Sequence, residues 1–243
     1  MTGTLYLIPN TLGPCSLDAV LPAEVRIITA GLDTFIAENA KTARAFLKLV
    51  DATCPLCKSL QEIQIDELNV NTAATQLPVL LAPLIAGKDV GLLSEAGVPA
   101  VADPGADLVR LAHAQGITVR PLVGPSSILL AVMASGLNGQ SFAFNGYLPT
   151  DADARGKRIK LLEQRSRQEK QTQIFIETPY RNAALLEALA THCSALTLVC
   201  VATDLSLASE TINTRSAAQW KQDIARGRGP DFHKKPTVFL LLA

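Results

Sequence analysis

The residues best suited to binding a small molecule follow the apolar run that ends at Leu93. The twelve residues from Ser94 to Gly105 contain two glycines and two prolines, whereas ordinary connections between elements have about 2–6 residues. Glycine lets a ligand approach the main chain closely, and proline fixes the shape of a loop before binding. We therefore predict a functional loop here, with a rigid strand-to-helix connection as the alternative.

Two other segments place polar groups where a strand is predicted to end. In Val123-Gly124-Pro125-Ser126-Ser127, free N–H groups and two hydroxyls at a helix start would suit a polar or anionic ligand edge. Simple N-capping by Ser126 is the alternative. The segment 176–181 ends an apolar strand with a carboxylate, Glu177, for which a solvated position is the alternative.

Several kinds of site are excluded by the motifs that the sequence lacks. The segment after the first predicted strand has no Gly-x-Gly-x-x-Gly, and no glycine loop ends in Gly-Lys-Ser/Thr, so neither a dinucleotide fingerprint nor a P-loop is present. None of the three histidines has a nucleophile or carboxylate at a telling spacing, so we predict no hydrolytic triad and no metal site. Cys54 and Cys57 have redox spacing, but no second pair accompanies them, so we predict ordinary reduced thiols.

The elements that position these loops are predicted to alternate along the chain. Largely apolar runs predict strands at 4–8, 25–29, 89–93, 117–122, 172–176, 196–201 and 237–242, and 210–214 is a further candidate strand. Helical spacing and capping residues predict helices at 34–50, 72–86, 106–115, 126–134, 155–170, 181–191 and 217–226. Apolar strands separated by helices predict sheets covered on both faces, which is the α/β class. We predict two domains, residues 1–122 and 123–243.

Charge and composition narrow the environment and the partners. The 22 basic and 22 acidic residues balance, which argues against a strongly basic nucleic-acid arm, yet residues 1–121 carry −4 and residues 122–243 carry +4. A polyanionic partner is therefore expected to meet the second half. The start of the chain lacks signal-peptide character, no apolar run approaches the ~18 residues of a membrane span, and five cysteines form no disulfide framework. These features predict a cytoplasmic protein.

The loops together resemble the tetrapyrrole methylase superfamily of class III S-adenosylmethionine-dependent methyltransferases. The most specific matches are Gly3-Thr4-Leu5-Tyr6, Ser94 to Pro99 with Asp103-Pro104-Gly105, and Gly124-Pro125-Ser126. The segments 144–149 and 177–181 add to the resemblance, which is nearest to the ribosomal RNA small subunit methyltransferase I family. The chain departs from that family in its first loop, Pro9 to Gly13, and at Asn39-Ala40-Lys41, where an aspartate and an arginine are usual.

The resemblance implies two α/β domains with the cofactor in the cleft between them, and a homodimer. The implied cofactor is S-adenosylmethionine, and the implied substrate is a cytidine ribose 2′-hydroxyl in small-subunit ribosomal RNA. The matching positions predict cofactor contacts at Pro9, Ser94, Glu95, Ala96, Gly97, Val98, Ser126, Ser127, Glu177, Thr178, Ala202, Thr203, Pro236 and Thr237.

Methyl transfer to a hydroxyl would need positioning and a group that accepts the proton. Glu38 and Glu210 are the candidate bases, with a structural or solvated role as the alternative for each. For RNA binding we predict Lys41 and a basic stretch that includes Arg155, Lys157, Arg158 and Lys160. Two other functions stay open: methylation of a tetrapyrrole or another small molecule, and cofactor binding without catalysis.

Overall fold

The chain forms two units that divide between Ser126 and Ser127. The computed structural model describes all 243 residues. The first helix after the division, at Ser127–Ser135, packs on strands of the second unit's sheet. The boundary predicted after residue 122 lies slightly earlier, in the segment that leads to this helix, and stays a prediction.

The first unit is built on a sheet of five parallel strands, in the order β3-β2-β4-β1-β5. The middle strands β2 and β4 are buried along their whole length, as expected for a parallel sheet with both faces covered. The strands are β1 (Thr4–Ile8), β2 (Thr34–Ala37), β3 (Gln64–Glu67), β4 (Val90–Leu93) and β5 (Thr118–Pro121).

Helices cover this sheet with their apolar faces. In chain order they are α1 (Leu17–Val20), α2 (Ala23–Ala30), α3 (Ala40–Asp51), α4 (Leu77–Leu80), α5 (Ala82–Ile85) and α6 (Ala106–Ala114). Helix α3 buries Ala43, Phe46, Leu47 and Val50 at helical spacing, which stabilises it against the core.

Two of the predicted elements in this unit are wrong. Residues 25–29 belong to helix α2, where burial of Val25, Thr29 and Ala30 follows one helical face while Ile27 is exposed. The predicted helix 34–50 begins with strand β2, and helix α3 starts only after Asn39. The side chain of Asn39 caps the helix by accepting from the N–H groups of Lys41 and Thr42, as N-cap residues do.

The second unit contains a mixed sheet of five strands, in the order β6-β7-β10-β8-β9. Strands β6, β7 and β8 run in one direction, and β10 and β9 run in the opposite direction. The carboxyl ends of the first three therefore meet the amino ends of the other two at one edge. The strands are β6 (Phe142–Tyr147), β7 (Thr172–Glu177), β8 (Leu198–Thr203), β9 (Thr211–Ser216) and β10 (Thr237–Leu242).

Four helices pack on this second sheet and on one another. They are α7 (Ser127–Ser135), α8 (Ala152–Glu169), α9 (Asn182–His192) and α10 (Ala217–Ala225). The core includes the stacked rings of Phe175 and Phe239, whose centroids are 6.3 Å apart. The buried Trp220 indole donates to the carbonyl of Val199 at 2.8 Å, so its polar atom is satisfied. No helix of this chain combines the length and apolar character that a membrane-spanning segment needs.

Candidate functional site

The carboxyl ends of β1, β2 and β4 meet at one edge of the first sheet, because these strands are parallel neighbours. Ligands of open α/β sheets bind at this edge. The residues that follow the three strands include Pro9 and Asn10 after β1, Glu38 after β2 and Ser94 after β4. The fold thus brings together candidate residues from three distant stretches of sequence.

Asn10 ties the loop after β1 to the loop after β4. Its N–H donates to the Gly97 carbonyl at 2.8 Å, and the Gly97 N–H donates to the Asn10 carbonyl at 3.2 Å. Its side-chain Nδ2 donates to the carbonyls of Ser94, at 3.3 Å, and Glu95, at 3.0 Å. The side chain is buried. The sequence analysis assigned no role to Asn10, and only its position directly after a buried strand pointed to it.

Two glycines let three loops approach closely at this edge. Gly97 has φ of +71°, and a Cβ there would lie 3.2 Å from Leu12 Cδ2. A Cβ on Gly124 would lie only 2.2 Å from Pro9 Cγ. Larger residues would push the loops apart, so the glycines are needed for a surface lined largely by main chain.

The remaining residues of the long loop are held in different ways. The Ser94 hydroxyl donates to the carbonyl of Ala96 at 3.3 Å. Val98 is half-buried, and Glu95 and Ala96 are exposed.

Ser126 is half-buried at the end of the first unit, and Ser127 begins helix α7 in the second. The predicted pair of serines is therefore split between the two units.

Three carboxylates interact at the same edge of the first sheet. Burial raises the pKa of Glu38, and the charge of Glu95 raises it further, while a backbone hydrogen bond with Glu95 opposes the change. Burial, followed by the charges of Glu38 and Glu95, raises the pKa of Asp103 to about 6, and a hydrogen bond with the Ser94 side chain opposes the rise. The edge therefore favours a neutral carboxyl or a nearby positive charge.

Open space lies beside two of these carboxylates. A cavity of about 230 Å³ is lined by residues that include Asn10, Thr42 and Glu95. A second cavity of about 260 Å³ is lined by Asp103 with Asn69 among others. Both cavities combine polar groups with apolar walls, as small-molecule sites do. Asp103 was predicted to belong to a motif of the long loop, without a role of its own.

The candidate residues of the second unit lie in one row across its sheet. The strand register pairs Thr237 of β10 with Glu177 of β7 on one side and with Thr203 of β8 on the other. All three are buried polar residues, and the Thr237 and Thr203 hydroxyl oxygens are 3.3 Å apart. Ala202 is buried beside them and Pro236 is exposed. The predicted residues from three strands are thus neighbours at the edge of the second sheet where the carboxyl ends of β7 and β8 meet the amino end of β10.

Contacts inside the protein occupy the carboxylate of Glu177. Its Oε1 accepts from the Thr178 N–H at 2.7 Å and from Arg181 Nε and Nη2 at 2.9 and 2.6 Å. Charge-assisted bonds of this kind fix both partners. The Glu177 carboxylate therefore shapes the segment 178–181.

Asn182 is a further buried residue beneath this row that the sequence analysis missed. Its Nδ2 donates to the Lys235 carbonyl and to Thr237 Oγ1, both at 3.0 Å. Its Oδ1 is buried without a partner. These bonds hold the start of β10 against the start of α9.

The two candidate bases lie in different units. Glu38 is half-buried in the first unit, beside Glu95 and Asp103 as described above. Glu210 is exposed in the second unit, where its Oε2 accepts from the Ser206 N–H at 2.7 Å. Burial, and then the charge of Glu95, raises the pKa of Glu38.

The predicted basic residues lie on two helices. Lys41 is exposed in the first turn of α3. Lys157 and Lys160 are exposed on α8, whereas Arg155 and Arg158 are half-buried. Arg155 Nη1 donates to the Thr150 carbonyl at 3.0 Å.

The cysteines and the possible metal ligands form no centre. All five cysteines are free thiols. No group of three or more His, Cys, Asp or Glu side chains has an arrangement that would hold a metal ion.

Comparison with known proteins gives matches over most of the chain. The profile of the family described as Tetrapyrrole (Corrin/Porphyrin) Methylases matches residues 5–219. The Ribosomal RNA small subunit methyltransferase I of Xylella fastidiosa is 31% identical over 92% of this chain and 76% of its own length. The protein of the same name from Pseudomonas aeruginosa is 31% identical over 77% of this chain, and the match spans only 60% of that relative.

The fold is similar to that of solved methyltransferases. The crystal structure of the methyltransferase CobJ aligns with a TM-score of 0.60 and 18% identity, over 100% of this chain and 94% of that one. At this level of identity, the likeness concerns the fold alone.

Proposed function

Because the chain belongs to the tetrapyrrole (corrin/porphyrin) methylase family of methyltransferases, we propose that it methylates a ribose of small-subunit ribosomal RNA. In this proposal the donor is S-adenosylmethionine and the acceptor is the 2′-hydroxyl of a cytidine. The observation that carries the proposal is the similarity to proteins named Ribosomal RNA small subunit methyltransferase I over as much as 93% of this chain.

The groups at the first unit's edge fit S-adenosylmethionine. Its sulfonium and ammonium groups are positive, and Glu38, Glu95 and Asp103 supply negative charge whose mutual repulsion a cation would relieve. The molecule has no phosphate, which agrees with loops that carry neither a dinucleotide fingerprint nor a P-loop. Glycine-lined main chain suits close contact with an adenosine moiety.

The proposed contacts are those that the sequence predicted. In the first unit they are Pro9, the segment from Ser94 to Val98, and Ser126; in the second they are Ser127, Glu177, Thr178, Ala202, Thr203, Pro236 and Thr237. Asn10 and Glu177 support them through the hydrogen bonds that hold the segments 94–97 and 178–181.

The proposed mechanism relies on positioning and on one proton acceptor. When bound, S-adenosylmethionine supplies a methyl group that its sulfonium has already activated. The protein has to hold the hydroxyl oxygen in line with that methyl group. We assign acceptance of the hydroxyl proton to Glu38, since burial and the charge of Glu95 raise its pKa and thereby its proton affinity.

The proposed RNA surface is the basic helix α8. It presents Arg155, Lys157, Arg158 and Lys160 within two turns, whereas Asp151 and Asp153 oppose them at its start. Basic side chains at this density suit RNA phosphates. Lys41 on α3 is a further proposed contact.

We also propose a homodimer that works in the cytoplasm, where ribosomal subunits are its substrate. Helix α7 buries Ala131 and Val132 but leaves Leu129 52% and Met133 79% exposed, one turn apart. An apolar helix face of this kind suits a second copy of the chain. Met133→Glu would then convert the dimer to a monomer in light-scattering measurements.

The experiment that tests the function is transfer of a labelled methyl group. Small ribosomal subunits from cells that lack the protein are incubated with the full chain and labelled S-adenosylmethionine, and the modified nucleotide is mapped. We expect one 2′-O-methylated cytidine in the RNA. The same assay is run with a precorrin or uroporphyrinogen in place of the subunits.

Each other result would replace the proposal. Label on the tetrapyrrole and none on the subunits would make the protein a small-molecule methyltransferase. Calorimetric binding of S-adenosylmethionine without transfer to either acceptor would indicate a binding protein that has lost catalysis.

A further inference from the structure

Two tyrosines are exposed at the edge of the second sheet where the candidate residues lie. Tyr147 ends β6 and is 58% exposed, and Tyr180 follows β7 and is 82% exposed. The register places Tyr147 opposite Ile176 of the parallel strand β7. Because β6 and β7 are parallel neighbours, both tyrosines lie at the edge of the second sheet where these two strands end. A tyrosine combines a large flat apolar ring with a polar tip, which suits contact with a partner molecule.

Arg181 and the buried Glu177 hold the Tyr180 segment in place. The Arg181 guanidinium lies 5.6 Å from the centre of the Tyr180 ring, within cation–π range. Two nitrogens of the same guanidinium donate to Glu177 Oε1, at 2.9 and 2.6 Å. A buried carboxylate thus fixes the arginine that packs against the ring.

A β-bulge sets the position of Tyr147. Between Phe144 and Tyr147, strand β6 has one more residue than β7 has opposite it, and Gly146 in the bulge has φ of +64°. Such a bulge turns the following side chain. The Asn145 side chain in the same bulge accepts from Arg158 Nη2 at 3.3 Å, which places a basic residue of α8 against the bulge that precedes Tyr147.

We propose that Tyr147 and Tyr180 form a stacking surface for an unpaired base of the RNA substrate, with Arg158 contacting the adjacent phosphate. This inference rests on the proposed function and specifies which form of RNA the site accepts. Exposed rings next to basic side chains match the two parts of a single-stranded nucleotide, its base and its phosphate. In a duplex the faces of the bases are covered by their stacked neighbours, and the rings would have nothing to stack on.

The test compares side chains that keep the ring with side chains that lose it. The variants are Tyr147→Leu, Tyr180→Leu, Tyr147→Phe and Tyr180→Phe in the full chain. The probes are a labelled single-stranded 12-nucleotide RNA, a duplex of the same sequence, and small ribosomal subunits. We expect each leucine variant to weaken single-strand binding about ten-fold, because aromatic stacking contributes on that scale, and each phenylalanine variant to recover most of the loss.

A spectroscopic variant reports stacking directly. Tyr180→Trp introduces a fluorophore whose emission we expect the single strand to quench and the duplex to leave unchanged. Leu196→Ala is the matched control for the leucine variants. Leu196 is 87% exposed just before the amino end of β8, at the other end of that strand from the candidate residues. S-adenosylmethionine affinity measured by calorimetry verifies that each leucine variant is folded.

The outcomes separate this inference from the proposed function. If the unmodified chain methylates subunits but the leucine variants bind RNA as it does, the stacking surface is refuted and the proposed function stands. Equal losses by leucine and phenylalanine, or equal losses on duplex and single strand, also refute stacking. Loss of subunit binding with unchanged oligonucleotide binding would indicate a ribosomal protein as the partner. Absence of both methyl transfer and RNA binding in the unmodified chain overturns both proposals.

Discussion

Asn10 and Gly97 exchange two main-chain hydrogen bonds, with N···O distances of 2.8 and 3.2 Å. The pair joins the loop after β1 to the loop after β4, and the Asn10 amide reinforces the join through the carbonyls of Ser94 and Glu95. The shape of the candidate donor-binding loop therefore depends on a side chain outside that loop.

Asn10→Ala should destabilise the protein and weaken donor binding together. It removes two hydrogen bonds to main-chain carbonyls, which contribute about 1–2 kcal/mol in total, and frees the loop 94–97. We expect a lower denaturation midpoint and a higher dissociation constant for S-adenosylmethionine in calorimetry.

Asn138→Ala is the control for Asn10→Ala. Asn138 Nδ2 donates to the Lys170 carbonyl just before β7 begins, at the opposite end of that strand from the candidate residues. It should lower stability without changing donor affinity. Equal effects of the two variants on affinity would contradict the role given to Asn10.

Gly97→Ala should lower the free energy of unfolding more than Gly116→Ala does, although the two glycines have similar backbone conformations. Gly97 and Gly116 have φ of +71° and +67°, but a Cβ meets Leu12 at 3.2 Å only at Gly97. Each alanine costs about 1 kcal/mol for its left-handed backbone, and Gly97→Ala adds crowding of the loop. In chemical denaturation, the free energy of unfolding should be lower for Gly97→Ala than for Gly116→Ala. Only Gly97→Ala should lose affinity for the methyl donor.

Asp103→Asn should stabilise the protein at neutral pH, less at pH 5, and have little effect below the ordinary aspartate pKa of 3.8. The native pKa of about 6 lies above the ordinary value of 3.8, so folding binds a proton between these values and the charged carboxylate destabilises the native state above pH 6. After allowance for solvent screening, we expect a gain of about 1 kcal/mol at pH 7.5.

Thermal denaturation of Asp103→Asn and the unmodified chain from about pH 3.5 to 8, a range that spans both pKa values, measures this effect. The two stability curves should converge as the pH falls below 6. A constant gap over the whole range would show that the substitution acts through packing.

Glu38→Gln should lower the turnover number far more than Glu210→Gln. A positioned general base contributes about 100-fold or more, and Glu38 is the candidate whose pKa burial and a neighbouring carboxylate raise. Single-turnover methylation across pH should show Glu38→Gln losing the acidic limb of the rate profile. A large loss at Glu210→Gln, with Glu38→Gln nearly normal, would reverse the assignment.

Arg158→Glu with Lys160→Glu should weaken binding to small subunits and flatten its dependence on salt. Each lost phosphate contact reduces the slope of log K against log salt by about one. Arg110→Glu on helix α6 of the first unit is the control, because Arg110 is an exposed arginine outside α8 and pairs with Asp107 at 2.9 Å. Filter binding at several salt concentrations measures both slopes, and unchanged slopes in the double variant would rule out this surface.

The strands with strong local signals were predictable from sequence. The runs at Thr4–Ile8 and Thr237–Leu242 are apolar and bounded by turn residues, and both form strands. Strand β3, Gln64–Glu67, was missed because it is a polar edge strand that only pairing with β2 reveals. Val25 to Thr29 was wrongly predicted as a strand because an apolar run of five residues does not distinguish a strand from a buried helix.

The position of candidate residues at the strand ends was predictable where they form a motif, and their role in binding stays a prediction. The loop 94–98 and the segment 177–178 carry recognisable sequence patterns, and the structure puts them at sheet edges. The roles of Asn10 and Asp103 were not predictable, since one depends on a bridge between two loops and the other on carboxylates that different strands bring together. Periodicity and spacing report neighbours along the chain, and these interactions join residues distant along it.

The central position of β10 has a consequence for synthesis on the ribosome. The strands of the first unit lie within residues 4–121, so its sheet can assemble while the rest is still being translated. Strands β7 and β8 are separated by β10, the last to be made, and cannot complete their hydrogen-bond ladders before it emerges. A premature stop codon anywhere before residue 237 would leave the second sheet without its middle strand, and the truncated product would be a substrate for proteolysis.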